Sequence, residues 1–178
     1  MPRLKVVEAD QASGKVKETY NNLNSKFGKV FNIFKGMGNS AAALNAYLNM
    51  SATLGEGDLS PEDREVVYLA VSERNKCHYC ASAHTVIAKN AGMSDIQILA
   101  ARKHEGLDDK HQTLVRFINR VMDTQGFVDD ADVEAVRDAG YTDGQIAESI
   151  AYIGLATYSN LFNHVFDTEL DFPAAPKL

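Results

Sequence analysis

Three residues in the middle of the chain, Cys77, Cys80 and His84, have the types and the spacing of a thiol redox site. The two cysteines are the only ones among 178 residues, and they form a single Cys-x-x-Cys motif. On a helix that begins near Cys77, the three side chains share one face within an arc of about 60°. A thiolate in the first turn of that helix is stabilised by unpaired backbone N–H groups and by the helix dipole, which lower its pKa. We therefore expect a nucleophilic thiolate whose proton is accepted or relayed by His84.

Glu65, at the edge of an apolar run that precedes the motif, has two interpretations. It is either a solvated acid in the first turn of a helix, where the dipole favours a negative charge, or a partner of the cysteines. In the second interpretation the chain folds back on itself, and the Glu65 carboxylate orients His84 or takes part in a proton relay. The sequence leaves both interpretations open.

The motif also has interpretations that involve no redox chemistry. Two cysteines with nearby histidines could hold zinc, but a structural zinc site usually needs a fourth ligand at a loop spacing, and on a helix His78 would point away from the cysteines. The cysteines could also be small buried apolar residues. His164 lies near the end of a long apolar helix, where a cation complements the helix C-terminus; a position beside the reactive pair is the functional alternative.

The remaining two histidines and one aromatic cluster are expected to have structural rather than functional roles. His104 and His111 occur in polar surroundings and are expected to face solvent. An aromatic and methionine cluster near the N-terminus is expected to form core or an oligomer interface rather than a substrate pocket. Its members are Phe27, Phe31, Phe34, Met37 and Tyr47.

Helix start and stop signals recur along the whole chain and position the motif. Ser60 before Pro61, with acids in the first turn, predicts a helix over 61–74, and a second helix runs from near Cys77 to Gly92. Further helices are predicted over 11–26 after Asp10, from Ser40 to about Leu54, from Ser94 to about Lys103, from Asp108 or Asp109 onward, over 130–138, and from Thr142 to about Phe166. No segment alternates apolar and polar residues as a strand does. We predict a single all-α domain over residues 1–178, with the cysteine core at about 60–92 and an irregular tail from about residue 168.

Composition excludes several classes of function. The net charge of −6 has the wrong sign for a nucleic-acid phosphate backbone, and no apolar run approaches the ~20 residues that cross a bilayer. Acidic residues at positions 8 and 10 interrupt any secretory signal. We therefore expect a soluble, cytoplasmic protein that binds neither nucleic acid nor membrane and whose cysteines are reduced. No motif for flavin, haem or nicotinamide is present, so no cofactor is expected.

The residues described above resemble the signature of a known family. Glu65, eleven further residues, and then Cys77-x-x-Cys80-x-x-x-His84 resemble the signature of the AhpD-like alkylhydroperoxidases, within the carboxymuconolactone decarboxylase superfamily. Two flanking stretches, from Asn32 to Met37 and from Asn163 to Pro173, are similar to the branch of peroxidase-related proteins. The resemblance extends from about residue 30 to residue 173.

The resemblance implies a fold, an assembly and a set of roles. The family is an all-helical bundle that forms homo-oligomers, trimers or hexamers, and its members transfer electrons between a cysteine pair and peroxides or disulfides. By position, Cys80 is the peroxidatic thiol, Cys77 is the resolving thiol, and Glu65 with His84 forms the proton relay. Electrons are then expected from an external thiol or a reducing protein partner, of which a lipoyl-bearing protein is one kind.

One position departs from the family's pattern. Prototypes have a histidine immediately before the second cysteine, whereas this chain has Tyr79 there and His78 one place earlier. Tyrosine donates hydrogen bonds but is a poor base near neutral pH, so we expect a weaker peroxidase or one with another reductant. Two rival functions are an enzyme of the decarboxylase branch, and a redox-sensing oligomer that turns over no substrate.

Overall fold

The structure is a computed structural model that describes residues 1–178, and it contains helices but no β-strand. The predicted all-α class is therefore confirmed. The helices are α1 (Gly14–Phe27), α2 (Asn32–Met37), α3 (Ala41–Gly55), α4 (Pro61–Arg74), α5 (His78–Asn90), α6 (Asp95–Lys103), α7 (Asp109–Thr124), α8 (Asp130–Asp138) and α9 (Asp143–Phe166). None of these helices is long and apolar enough to cross a membrane.

Local capping explains where the central helices begin. Ser60 Oγ accepts a hydrogen bond from the Asp63 backbone N–H at 3.0 Å, and Asp63 Oδ2 accepts one from the Ser60 backbone N–H at 3.2 Å. This reciprocal capping box starts α4 at the predicted residue. Capping boxes at Ser94 and Thr142 start α6 and α9 in the same way.

Two features of the N-terminal third differ from the prediction. The first helix begins at Gly14 rather than directly after Asp10, because residues around Asp10 form a turn in which the Gln11 and Ala12 backbone N–H groups donate to the Glu8 carbonyl. The six residues of α2 were not predicted as a helix. A helix of fewer than two turns is too short to show a periodic apolar pattern.

Helix α4 lies at the centre of the fold, where it contacts α5, α6, α7 and α9. Residues 66–71 are buried on every side of the helix, because neighbouring helices surround it. The polar side chains that this packing buries, Asp63, Glu65 and Ser72, are held in fixed positions. Glu65, at the buried N-terminal end of α4, is one of them.

Helices α4 and α5 form an antiparallel hairpin around the motif. Lys76 adopts a left-handed backbone conformation with φ of 57°, and the Cys77 backbone N–H donates to the Ser72 carbonyl at 2.8 Å. The chain therefore reverses directly before the cysteines. Glu65 near the start of α4 consequently meets His84 in the second turn of α5.

The two cysteines belong to a second apolar core, separate from the one around α4. This core joins the N-terminal helices to the start of α5. Its buried members are Ala12, Tyr20, Leu23, Val30, Ile33, Met37, Leu44, Cys77, Tyr79 and Cys80. The cysteine pair thus lies where α1, α2 and α3 pack against the hairpin.

The C-terminal tail is irregular, as predicted, and it crosses the start of α5. Asp171 Oδ2 accepts hydrogen bonds from the Tyr79 hydroxyl at 2.7 Å and from the Asn32 backbone N–H at 2.8 Å. Farther along, the Ala175 backbone N–H donates to Ser82 Oγ at 3.0 Å. The tail therefore ties α2 to α5 beside the cysteines.

The expectation that His104 and His111 face solvent was wrong. His104 Nε2 donates to the Ala70 carbonyl at 3.0 Å, and His111 bridges two carboxylates, Asp63 at 3.3 Å and Asp108 at 2.6 Å. Both histidines are half-buried because α6 and α7 pack against α4. Tertiary packing of this kind leaves no trace in the residues adjacent to a histidine.

Candidate active site

The cysteine pair occupies the N-terminus of α5. Cys77 is the N-cap residue, and its Sγ accepts a hydrogen bond from the Cys80 backbone N–H at 3.4 Å. The two sulfur atoms lie 2.7 Å apart as free thiols. A disulfide bond length is about 2.05 Å, so a small movement would close the bond.

Several polar groups act on the Cys80 sulfur. Burial alone would raise its pKa, but the Cys77 thiol donates to Cys80 Sγ and the positive charge of His84 lies nearby. The side-chain amides of Asn160 and Asn163 also act on the sulfur, and Asn163 Nδ2 donates from 3.1 Å. Together these groups lower the Cys80 pKa to about 6. The hydrogen bond to Cys80 and burial raise the pKa of Cys77. The negative charge therefore rests on Cys80 and the proton on Cys77.

Glu65 is not a solvated first-turn acid. It is 6% exposed, and its Oε2 lies 2.8 Å from Nδ1 of His84. The His84 ring also stacks on Tyr68 with 3.9 Å between ring centroids. Burial lowers the pKa of His84, but the Glu65 carboxylate outweighs that effect and the net pKa is raised. The geometry therefore agrees with the interpretation in which the chain folds back and the Glu65 carboxylate orients His84.

Three other residues considered from the sequence have different positions. Tyr79 is buried beside the cysteines, but its hydroxyl donates to Asp171, and burial together with that carboxylate raises its pKa. His78 is exposed on the outer side of α5. His164 is also exposed, so the structure does not bring it to the cysteines. No three His, Cys, Asp or Glu side chains are grouped closely enough to hold a metal ion.

Asn163 is the site residue that the sequence analysis missed. It is buried on α9 and reaches Cys80, while His164 one position later is rotated by about 100° toward solvent. Asn160, one turn earlier, is fully buried and donates to Ser72 Oγ at 3.3 Å. The sequence does contain a signal for this role, namely two asparagines three residues apart in an apolar helix. Buried side-chain amides need hydrogen-bond partners, so such a pair indicates a polar site on that face of the helix.

An apolar pocket of about 560 Å³ leads to Cys80. Glu65 and His84 are the only charged side chains in its lining. Its wall includes four of the five residues expected to form core or an oligomer interface, namely Phe27, Phe31, Phe34 and Tyr47. Phe31, Phe34 and Tyr47 also pack against the second apolar core, so they line the pocket as well as forming core. Only Met37 is simply buried in the core. Phe172 from the tail completes the wall and stacks on Phe31 at 5.1 Å between centroids.

Known proteins resemble this chain in the sequence around the site and in the overall fold. Residues 39–110, which contain α3 to α6 and both cysteines, match the model of the carboxymuconolactone decarboxylase family. A solved peroxidase-related protein from Ralstonia eutropha JMP134, described as an alkylhydroperoxidase AhpD core, is 21% identical and covers 96% of this chain and 92% of its own, with a TM-score of 0.87. The chain is therefore similar to the carboxymuconolactone decarboxylase family over residues 39–110, and its whole fold is similar to that of the AhpD core.

Two further solved structures share the AhpD-like fold over nearly the whole chain. A peroxidase-related protein from Silicibacter sp. TM1040 is 23% identical over 95% of this chain and 94% of its own, with a TM-score of 0.81. The debrominase Bmp8, solved as a cysteine-to-alanine variant with 2,3,4-tribromopyrrole, is 15% identical over 96% and 94%, with a TM-score of 0.77. Identities this low establish a shared fold and nothing more. No curated protein matches the chain in sequence.

Proposed function

We propose that this protein is a thiol-dependent hydroperoxidase in which Cys80 reduces an organic peroxide and Cys77 closes the disulfide. One observation carries the proposal: a thiol of lowered pKa lies at an apolar pocket, 2.7 Å from a second thiol. A buried thiolate with an adjacent thiol suits two-electron reduction, because the first sulfur is oxidised and the second one displaces the oxygen.

In the first step the Cys80 thiolate attacks the terminal oxygen of the peroxide, and the O–O bond breaks. The leaving alkoxide takes a proton from the His84 imidazolium, which Glu65 holds in place. The products are an alcohol and a sulfenic acid on Cys80. Asn163 stabilises the thiolate before attack by donating to its sulfur.

In the second step Cys77 attacks the sulfenic sulfur of Cys80. An S–S bond forms, the S–O bond breaks, and the hydroxyl leaves as water with the Cys77 proton. The pair then needs two electrons from an external thiol, by thiol–disulfide exchange. We propose that these electrons come from a small thiol or from a protein that carries one.

The pocket favours a peroxide that carries an apolar, ring-sized group. Twelve of its 18 lining residues are hydrophobic, and aromatic faces pack well against rings. Hydrogen peroxide would leave such a pocket largely unfilled. Cumene hydroperoxide is therefore expected to react faster than hydrogen peroxide in terms of kcat/KM.

The test is a thiol titration with intact mass, on metal-stripped protein, before and after one equivalent of cumene hydroperoxide. We expect loss of two thiols and about 2 Da, reversed by dithiothreitol. Cys80→Ser should abolish peroxide consumption, and Cys77→Ser should leave a sulfenic acid trapped by dimedone. Thr85→Ala, on the same helix, is the matched control, because the Thr85 hydroxyl only donates to the Ala81 carbonyl of its own helix. Thiols that persist unchanged would contradict the proposal and favour the decarboxylase or structural alternatives.

A second candidate function is reductive debromination of an aromatic ring. The aromatic pocket at the Cys80 thiolate favours it, together with the shared fold of the debrominase Bmp8. In that reaction two thiols supply two electrons, the carbon–bromine bond is replaced by carbon–hydrogen, and bromide and a disulfide are formed. Release of bromide from 2,3,4-tribromopyrrole, measured by ion chromatography, would support this candidate, and its absence would remove it.

We also propose that the protein forms a homo-oligomer through α9. Ile150, Tyr158, Leu161 and Val165 form one stripe of exposed apolar side chains at helical spacing on α9. Gly154 lies within the same stripe, with open space beside it. A second copy of this uncharged stripe is the surface that would cover it.

A further inference from the structure

A second, smaller pocket opens at the other member of the cysteine pair. It has a volume of about 160 Å³ and lies between the end of α4, the start of α5 and Arg102 of α6. Cys77 lines this pocket, whereas Cys80 does not. The large aromatic pocket shows the reverse: Cys80 lines it and Cys77 does not. Each sulfur-bearing residue therefore borders its own opening.

The two pockets differ in charge as well as in position. The small pocket carries Lys76, His78 and Arg102 with a single acid, Glu73. Arg102 is 5% exposed, and its Nε donates to Glu73 Oε2 at 2.8 Å, so these two charges offset each other. Lys76 is exposed and forms no salt bridge, which leaves a cation at the opening of a chain whose net charge is −6.

We infer that this small pocket admits the reductant, a thiol that carries an anionic group, while the peroxide enters by the aromatic pocket. The inference rests on the proposed function in one respect only, namely that Cys77 and Cys80 cycle through a disulfide. Lys76 attracts the anionic group, and the reductant's sulfur reaches Cys77.

The chemistry of exchange fits this direction of approach. Attack at a disulfide sulfur is favoured when the other sulfur is the better leaving group. A reductant thiolate attacks Cys77 Sγ, the Cys77–Cys80 bond breaks, and Cys80 leaves as a thiolate. Its pKa of about 6 makes it the better leaving group of the two. A second thiol then attacks the reductant's sulfur in the mixed disulfide, which releases reduced Cys77 and the oxidised reductant.

Two separate openings have a kinetic consequence. The alcohol product need not leave the aromatic pocket before the disulfide is reduced, because the reductant does not pass through that pocket. An aromatic alcohol bound there should therefore not compete with the reductant. A single shared entrance would produce competition.

The experiment measures reduction alone, on protein whose cysteine pair has been oxidised with diamide. Reduction rates are compared for 3-mercaptopropionate, 2-mercaptoethanol and cysteamine, each corrected for its thiolate fraction. We expect the anionic thiol to be about fivefold faster than the cationic one at low salt, and the preference to fade as salt is added. A saturating concentration of 2-phenyl-2-propanol should leave the rate with 3-mercaptopropionate unchanged.

Lys76→Glu should remove or reverse the preference for the anionic thiol, and Lys15→Glu, on the exposed surface of α1, is the charge-matched control. Equal corrected rates for the three thiols, competition by the alcohol, or the same change in Lys15→Glu would each overturn the inference, as would a pair that diamide does not oxidise. Because peroxide is absent, the result is independent of peroxidase activity. A protein that shows the charge preference but consumes no peroxide would retain this inference and refute the proposed function.

Discussion

Nδ1 of His84 lies 2.8 Å from Oε2 of Glu65, and both side chains are at least 88% buried within the α4–α5 hairpin. The contact joins residues 19 positions apart, so it exists only because the chain reverses at Lys76. A carboxylate at this distance keeps the imidazole protonated to higher pH than usual. The imidazolium in turn favours the Cys80 thiolate.

Glu65→Gln should therefore slow peroxide reduction about tenfold at pH 7. Without the carboxylate the His84 pKa falls, the positive charge beside Cys80 is lost, and the Cys80 pKa rises above about 6. The acid limb of kcat/KM should move to higher pH, as measured by stopped-flow between pH 5 and 9. Glu62→Gln on the same helix is the control. An unchanged limb would show that Glu65 does not act on Cys80 through His84.

Asn163→Leu should raise the Cys80 pKa and slow its alkylation by iodoacetamide at pH 7. The substitution keeps a similar volume but removes the amide that donates to Cys80 Sγ at 3.1 Å. Thiolate absorbance at 240 nm, followed against pH in a Cys77→Ser background, measures the pKa directly. His164→Gln, the exposed neighbour, should leave the titration unchanged. Equal shifts in the two variants would contradict the role given to Asn163.

Tyr79→Phe should loosen the tail without changing the chemical step. The phenyl ring still packs on Phe172, but Asp171 loses the hydroxyl that donates to it at 2.7 Å. Hydrogen exchange in residues 170–176 should speed up, and KM for cumene hydroperoxide should rise while kcat is retained. Tyr158→Phe, on the exposed face of α9, serves for comparison. A fall in kcat with KM unchanged would instead place Tyr79 in the proton relay.

His111→Gln should lower stability in a pH-dependent way. The Asp63 and Asp108 carboxylates raise the pKa of His111, and hydrogen bonds that include the one from His111 outweigh burial and lower the pKa of Asp63. The stabilisation by the raised histidine is complete below its unfolded pKa of about 6.5 and is lost as pH rises through the folded value. The stabilisation by the lowered Asp63 is present above about pH 4 and is lost as pH falls.

The variant should consequently lose about 1.5–3 kcal/mol between pH 4 and 6.5, which is a fall of several degrees in Tm. Thermal melts of wild type and variant should approach each other as pH rises through the raised folded-state pKa of His111. His78→Gln, which removes an exposed histidine, is the matched control. A difference in Tm that is constant from pH 5 to pH 9 would show that the charge of His111 contributes nothing.

Leu161→Glu should convert an oligomer into monomers of 19.5 kDa. Leu161 is 57% exposed in the α9 stripe, and a carboxylate there would be costly to bury against a second copy. Light scattering after size exclusion gives the mass of each species. Phe127→Glu, which replaces an apolar residue that is 84% exposed and outside the stripe, should remain assembled. A wild-type protein of 19.5 kDa would contradict the assembly altogether.

Sequence signals predicted this fold well where they act locally. The Ser60 and Thr142 capping boxes set the starts of α4 and α9, since each signal lies within one turn of its effect. The reactive spacing of Cys77, Cys80 and His84 was equally local. By contrast, which of Asn163 and His164 reaches Cys80 depends on a rotation of α9 that is set by packing over the whole helix. Whether Phe31 forms core or a pocket wall depends on the tail, 141 positions later.

The tail also bears on how the protein is made. Tyr79 and its partner Asp171 are 92 residues apart, and a growing chain folds from its N-terminal part onward. The cysteine hairpin is therefore synthesised well before the residues that enclose it. Until Asp171 and Phe172 emerge from the ribosome, the pocket at the cysteines of the nascent chain lacks one wall. Oxidants of any size can then reach the thiols. The pocket is in this sense completed only late in translation.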